Sequence, residues 1–482
     1  MRVLLIRPPV PQHTIGLKNV MICEPLELEY VAAGIPANHE VEIFDMIVEK
    51  NLPKRLKRFR PDVVGTSCYI SGVNEVIKIC RIAKIWNPAV RTIVGGVHAS
   101  RVPEDFADSA VDCIVRGDGT TMIAELLAAF ESGRPLTEIA GLALPAGEGV
   151  ISTPDRHYMP QPDSLPFPRR ELVQHLAKHY YYLFHQPVAT MKTTWGCWYK
   201  CNFCFTWRIT DGVPFSRSPE SIVEELAQIE SPDVYIVDDI FLINRKRLGA
   251  IADLLRARGI KKKYLVYGRA DFIAENEDVI AEWAGLGLSA VLIGLEASTN
   301  NELDSMNKEC TVDYNVKAIE VLRRHGVDTY GSLIPNPEYT EREWDRLMQF
   351  IEDNGLYYLN ISPLTPLPGT VIWDDYQDKL MVPRKAHGLW DLSHVVLPTS
   401  MPLKRYYRFL LRTYRRAVLD IRRADRLTLR TRPPIWSRKY LRLWWGAIKI
   451  MFQLRNAYRH HTPRQLRRAM DRGPELPVPA SS

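Results

Sequence analysis

The chain has 482 residues, of which 46% are apolar and 25% charged, with a formal net charge of +7. That balance fits a folded globular protein of two or three domains and excludes a low-complexity or fibrous chain. Five of the eight cysteines (Cys23, Cys68, Cys80, Cys113, Cys310) are scattered through apolar contexts, which excludes a disulfide scaffold and points to a reducing, cytoplasmic setting.

The opening "MRVLLIRPPV" has an apolar run too short for a signal-peptide core and reads as a buried strand. "VEIF" (41–44), "DVVGTS" (62–67), "TIVGG" (92–96) and "DCIVRG" (112–117) are further strand candidates. Between them, "LELEYVAAGI", "NEVIKICRIAKIW" and "TMIAELLAAF" carry apolar residues at helical spacing. The alternation predicts an α/β, doubly wound parallel sheet over residues 1–143. Its first connection, "PPVPQHTIGLKNVMICEPLELEYVAAGI", is long for a βα loop, and long ordered loops at that end of a sheet usually meet ligand. The loops "GTSCYISG" and "VGGVHAS" are rich in small residues, which let backbone approach a bulky planar ligand.

Residues 144–187, rich in Pro and aromatics, predict a linker that still packs. A second alternation fills 188–400, with strands at "ATMKTT", "DVYIVDD", "YLVYGR", "AVLIGLE", "DTYGSLI" and "YYLNISPL". Six βα-like repeats are fewer than the eight of a closed barrel, so an open, partial barrel is expected. Beyond residue 400 the strand signal stops. Residues 401–482 form a basic helical region with 21 Lys and Arg against four acids, a net of +17, which leaves −10 for residues 1–400. Such a region expects an anionic partner. Its longest apolar stretch, "YLRLWWGAIKIMFQL", is broken by Arg442 and Lys449 and is no membrane span.

The densest chemistry lies in "TTWGCWYKCNFCFTW" (193–207), with Cys197, Cys201 and Cys204 inside eight positions. Three thiolates on a loop after a strand can hold one face of an iron–sulfur cluster and leave one metal vertex open. A Cys₃His zinc site is the alternative, although Cys310 is alone and His185 is the only histidine nearby in sequence.

The spacing Cys197-x₃-Cys201-x-Phe203-Cys204 resembles the signature loop of radical S-adenosylmethionine enzymes. The resemblance implies a 4Fe–4S cluster on the three cysteines, S-adenosylmethionine on the open iron, and a partial (β/α)₆ barrel. It also implies S-adenosylmethionine contacts from Phe203, from Asp238 and Asp239 in "VDDIF", from Arg269 in "YGRAD" and from Glu296 in "GLEAS". The paired acids could instead cap a helix, and Arg269 could simply bind Asp271. Pro335, Asn336 and Pro337 replace the Gly-rich turn common after the fifth strand. "TPLPGT" (365–370) resembles a segment of the cobalamin-linked branch. In the first domain Thr66, Ser67, Gly95 and Gly96 resemble the cobalamin contacts of that branch. The motif that supplies a lower axial histidine is absent, and His98 reads as a hydrogen-bonding residue. A flavodoxin-like domain with another ligand is the alternative.

Along its whole length the chain is similar to the hopanoid C-3 methylases among these enzymes. The implied activity is methyl transfer to a hopanoid ring carbon through methylcobalamin and a 5′-deoxyadenosyl radical. No side chain is expected to be catalytic beyond the cofactors, because an unactivated C–H bond offers no acidity to a base. The implied partners are a polycyclic lipid and a low-potential donor such as flavodoxin or ferredoxin. An anionic membrane surface would be met through Tyr406, Phe409, Leu410, Tyr414, Val418, Trp436, Trp444, Trp445 and Phe452 beside the arginines. The expected location is cytoplasmic, peripheral on the inner face of the cell membrane; for the basic region, RNA binding or a helical cap are the alternatives. Other readings are an oxidative cyclase of a porphyrin ester, a methylthio-transferring RNA modifier, or a non-catalytic metal module. The RNA modifier would need a second cluster, drawn from Cys23, Cys68 and Cys113.

Overall fold

The computed structural model describes residues 1–156, 161–419 and 437–473. The first sheet contains β1 (Arg2–Arg7), β2 (Glu40–Asp45), β3 (Val63–Ser67), β4 (Arg91–Gly95), β5 (Cys113–Val115), β6 (Leu142–Ala146) and β7 (Gly149–Ser152). Their spatial order is β2-β1-β3-β4-β5-β6-β7, with the first five parallel and the last two antiparallel. Val3 through Ile6 are all buried, as a strand covered by helices on both faces requires. The β6–β7 hairpin carries the first sheet through Ser152, past the boundary expected at residue 143. Its strands contain Pro145 and pair at the edge of the sheet, so their own sequence gives little strand signal.

The second sheet is β8 (Val188–Met191), β9 (Asp233–Ile236), β10 (Lys263–Gly268), β11 (Leu288–Glu296), β12 (Asp328–Leu333) and β13 (Tyr358–Ile361). All neighbours are parallel and follow chain order, giving an open, six-stranded partial barrel. Side-chain caps start its helices: Ser218 Oγ accepts from the Ser221 N–H at 3.2 Å, and Asn244 Oδ1 accepts from the Arg247 N–H at 3.0 Å. Tyr182 enters the barrel from the linker, stacked on Tyr330 at 5.8 Å and 5.0 Å from the Tyr235 ring. The adjoining Tyr181–Tyr182 pairs antiparallel with Met21–Ile22. The long loop after β1 is thereby stitched to the barrel.

The described part of the basic region packs against the rest of the chain. Its helix Leu403–Leu419 packs on the barrel, with Tyr406 at 5.1 Å from Trp344. The Ile361 N–H donates to the Tyr414 hydroxyl, which donates back to the Ile361 carbonyl, both at 3.0 Å. The free edge of β13 is thus covered. Arg405, Arg412 and Arg416 pair with Glu341, Asp345 and Glu352 of the barrel helix Glu341–Asp353. Part of the anionic partner that the charge asymmetry calls for is therefore internal. The Val418 side chain and Trp436 lie outside the described residues.

The helix Arg438–Asn456 crosses the loop after β1 at Gly446, where an added Cβ would come 2.1 Å from the Asn19 carbonyl oxygen. Gly446→Ala raises helix propensity by about 1 kcal/mol, yet here it must push backbone from backbone. Overpacking of this kind costs about 1–3 kcal/mol. We expect Gly446→Ala to lower the melting temperature and to speed proteolysis of this helix; an unchanged or raised melting temperature would contradict the packing described.

Candidate active site

The cysteine loop leaves the carboxyl end of β8 under tight control. Asp238, just past β9 and 2% exposed, accepts from the Thr193 N–H at 2.5 Å, from the Thr194 N–H at 3.0 Å and from the Thr193 hydroxyl. Asp239 accepts from the Gly196 N–H at 2.7 Å. The paired acids thus receive the strand-to-loop turn rather than capping a helix. Gly196 has φ +82° and its missing Cβ would sit 2.0 Å from Thr210 Oγ1, so only glycine fits there.

The far side of the loop is gripped by residues 305–309. The Asn202 N–H donates to the Met306 carbonyl at 3.1 Å, and Asn202 Nδ2 donates to the Ser305 carbonyl at 2.7 Å. Asn307 Nδ2 donates to the Lys200 carbonyl at 2.8 Å. This segment brings in Lys308, which sequence reasoning missed. Its buried ammonium lies 2.8 Å from Glu296 Oε1. Glu296 itself holds φ +62° at the end of β11, a strained conformation of the kind that collects at functional sites. A single lysine in "SMNKEC" carries no periodic or motif signal.

Arg269 lies with its guanidinium carbon 3.5 Å from the Tyr199 ring centre. It binds Asp271 at 2.8 Å and donates to the Lys308 and Glu309 carbonyls at 2.9 and 2.8 Å. The salt bridge with Asp271 is therefore present, and the arginine also braces the 305–309 segment. Phe203 is half-buried within the loop.

Burial pushes the Cys201 thiol up to about 11, against the pull of the nearby Lys308 and Arg269 charges. Cys197 and Cys204 are raised by burial as well, and each is further raised by a neighbouring acid or thiol. Three sulfurs beside two fixed cations fit an anionic iron–sulfur cluster, whose thiolates would offset that positive charge. His185, the one histidine offered for a Cys₃His zinc site, binds Asp233 at 2.7 Å at the start of β9. That is the opposite end of the strand from the cysteine loop.

In the first sheet, Thr66 and Ser67 end β3, and Gly95 ends β4 beside them. The Thr66 hydroxyl is buried without a hydrogen-bond partner. Gly96 has φ +99°, and a Cβ would press within 3.2 Å of the Cys68 backbone and Ser67. Gly95 differs, since its Cβ would meet only Val115 at 3.9 Å. The requirement for glycine thus falls on Gly96. An orphaned hydroxyl and two bare loops at adjacent strand ends fit a large planar cofactor. His98 is buried against Asp105 at 2.8 Å, as a hydrogen-bonding residue.

The two sheets meet around Tyr69. Its ring is 69% exposed, yet protein surrounds it closely enough for burial to push its hydroxyl up to about 12, helped by Glu27, Tyr267 and Asp239.

Residues 12–127 match the B12 binding domain and residues 191–351 match the Radical SAM superfamily. The chain is 30% identical over 424 residues to the hopanoid C-3 methylase of Methylococcus capsulatus, covering 86% of this chain and 79% of that one. It is 25% identical to the anaerobic magnesium-protoporphyrin IX monomethyl ester cyclase of Rubrivivax gelatinosus, covering 79% and 71%. The fold is shared with the cobalamin-dependent S-adenosylmethionine radical enzyme OxsB, solved with aqua-cobalamin and S-adenosylmethionine bound. The TM-score is 0.62 at 19% identity, over 88% of this chain and 61% of OxsB.

Two substitutions separate the two halves of this site. Cys201→Ala is expected to lose most of the bound iron and all S-adenosylmethionine cleavage, with cobalamin binding kept. Gly96→Val is expected to do the reverse. Iron analysis and cobalamin titration of the anaerobically reconstituted variants check both; full cleavage by Cys201→Ala would remove that cysteine from the ligand set.

Proposed function

Since the chain belongs to the cobalamin-dependent radical S-adenosylmethionine enzymes and is a radical C-methyltransferase, we propose that it methylates a ring carbon of a hopanoid, at C-3. The observation that carries this reading is likeness to a hopanoid C-3 methylase along most of both chains. The exposed Tyr69 ring supports it, lying near Glu27 of the first domain and Tyr267 and Asp239 of the barrel, where it offers a substrate an aromatic surface. A rigid polycyclic hydrocarbon needs apolar contact and few polar partners.

When bound, the iron–sulfur cluster with S-adenosylmethionine supplies the hydrogen-abstracting radical, and cobalamin supplies the methyl group. Cys197, Cys201 and Cys204 would hold the cluster, with Lys308 and Arg269 balancing its charge. Phe203, Asp238, Asp239, Arg269 and Glu296 would surround S-adenosylmethionine, with Asp238 acting through the loop it pins. Thr66, Ser67, Gly95 and Gly96 would receive cobalamin. A low-potential donor such as flavodoxin or ferredoxin would supply the electrons.

The test is an anaerobic reaction with a desmethyl hopanoid, cobalamin and S-adenosylmethionine, read by mass spectrometry. A hopanoid carrying one added methyl group on the A ring is expected. Turnover of a porphyrin ester with no hopanoid product would replace this reading with the cyclase one.

We also propose that the enzyme docks on an anionic bilayer through the helix Arg438–Asn456. Among the described residues no helix is long and apolar enough to cross a membrane. This helix buries Gly446, Ala447 and Leu454 and leaves Leu441, Trp444, Trp445 and Phe452 outward, the last two 57% and 66% exposed. Arg438, Lys449 and Arg455 are exposed along the same helix. Apolar side chains inserted beside cations worth about 1 kcal/mol each suit an acidic lipid surface. Phosphatidylglycerol vesicles are expected to sediment the full chain well above phosphatidylcholine vesicles, and Trp445→Glu with Phe452→Glu to abolish the difference. Binding of RNA but of neither vesicle at matched salt would refute membrane docking.

A further inference from the structure

Away from the cysteines, His98, Asp105 and His387 form a wholly buried group whose ligand atoms lie within 4.8 Å of one another. The spacing would admit a metal ion, but the charges around it do not favour one. Arg384 donates to Asp105 Oδ1 at 2.6 Å, and Arg472 donates to the Asp105 carbonyl at 3.2 Å. Arg384 already pairs with the carboxylate, Arg472 adds a second positive charge beside it, and both would repel a cation. The group is better described as a hydrogen-bonded hub. Asp105 Oδ2 lies 2.8 Å from His98 Nε2 and 3.2 Å from His387 Nε2.

The segments that the hub joins give it a role. His98 follows the Gly95–Gly96 turn after β4, whereas His387 comes from 282 residues beyond Asp105. The other nitrogen of His387 meets Asn74 Oδ1 at 3.1 Å, and Asn74 Nδ2 donates to the Ala469 carbonyl at 2.8 Å. Ile70, on the loop after β3, is buried among Val382, Leu389 and Trp390. One carboxy-terminal segment, residues 382–397, therefore grips both of the loops that follow β3 and β4.

We propose that His387 is a positioning residue for cobalamin. Through Asp105 and His98 on one side, and beside the packing of Ile70 on the other, it holds the two cofactor-side loops in their binding shape. The inference rests on the reading that Thr66, Ser67 and Gly96 face cobalamin. Residues remote in sequence thereby set the affinity of the first domain for its cofactor.

The experiment uses full-length, cluster-reconstituted protein titrated with hydroxocobalamin and followed by absorbance, with iron content measured in parallel. His387→Ala is expected to weaken cobalamin binding about tenfold, since it leaves buried partners unsatisfied, while iron content stays normal. His387→Gln, which keeps one donor, is expected to recover part of the loss. Hydrogen exchange is expected to rise in residues 66–72 and 95–101 and to stay unchanged in the barrel strands. Affinity within twofold of the unaltered enzyme, or exchange raised uniformly along the chain, would overturn the proposal. If His387→Ala does not fold, Arg384→Ala removes the partly exposed contact to the same acid, and an unchanged affinity there overturns it equally. Gly96→Val serves as the control: normal cobalamin binding in that variant removes the underlying reading of the loops, whatever His387→Ala shows.

Discussion

Asp238 sits at the end of β9 with almost no exposure, and its carboxylate is met by three donors from Thr193 and Thr194. Burial pushes this acid upward, while Lys192, Thr193 and Arg247 pull it back. An ionised carboxylate in such a place costs several kcal/mol unless its hydrogen bonds are complete. The residues that complete them are those that lead into the cysteine loop. The thiols consequently emerge from one fixed point above the barrel, and the contacts to Asp239 and to residues 305–309 shape the rest of the loop.

The first domain is joined to the barrel by similar means. Arg7 pairs with Asp45, Tyr180 donates to the same acid at 3.1 Å, and Arg7 Nη1 donates to the Cys23 carbonyl at 2.5 Å. Glu24 accepts from the Thr190 N–H at 2.6 Å, and Arg170 reaches Glu225 at 2.7 Å. Glu29 lies beside this group with neither oxygen hydrogen-bonded. Burial, then the charge of Glu24, hold its carboxyl well above the usual carboxylate range, against the pull of Arg170 and Arg7. A network this extensive suits a rigid junction between the two domains.

The sequence made some of this legible and hid the rest for identifiable reasons. All eleven strands expected from apolar runs are present, because strands buried on both faces must be nearly continuous in Val, Ile and Leu. The β6–β7 hairpin stayed silent because the edge of an existing sheet, rather than its own pattern, stabilises it. Asp238 and Asp239 are held by the turn that leads into the cysteine loop. Their strand-end position was readable, whereas the backbone they would face was not. Lys308 was invisible because its partner, Glu296, is brought to it by a strained turn rather than by any repeat.

By itself the sequence determined the two α/β units, their order, and the thiol loop whose spacing only a few metal centres tolerate. These depend on local periodicity and on the reach of a short loop, both of which are written in consecutive residues. Tertiary structure alone decided that the helix Leu403–Leu419 caps the barrel, with arginines paired to barrel acids, and that the helix Arg438–Asn456 leaves one aromatic face outward. It also decided that Gly96 rather than Gly95 needs to be glycine, and that His98 answers to His387. Each of those facts concerns which distant groups share a few ångströms of space, and packing, not pattern, sets that distance.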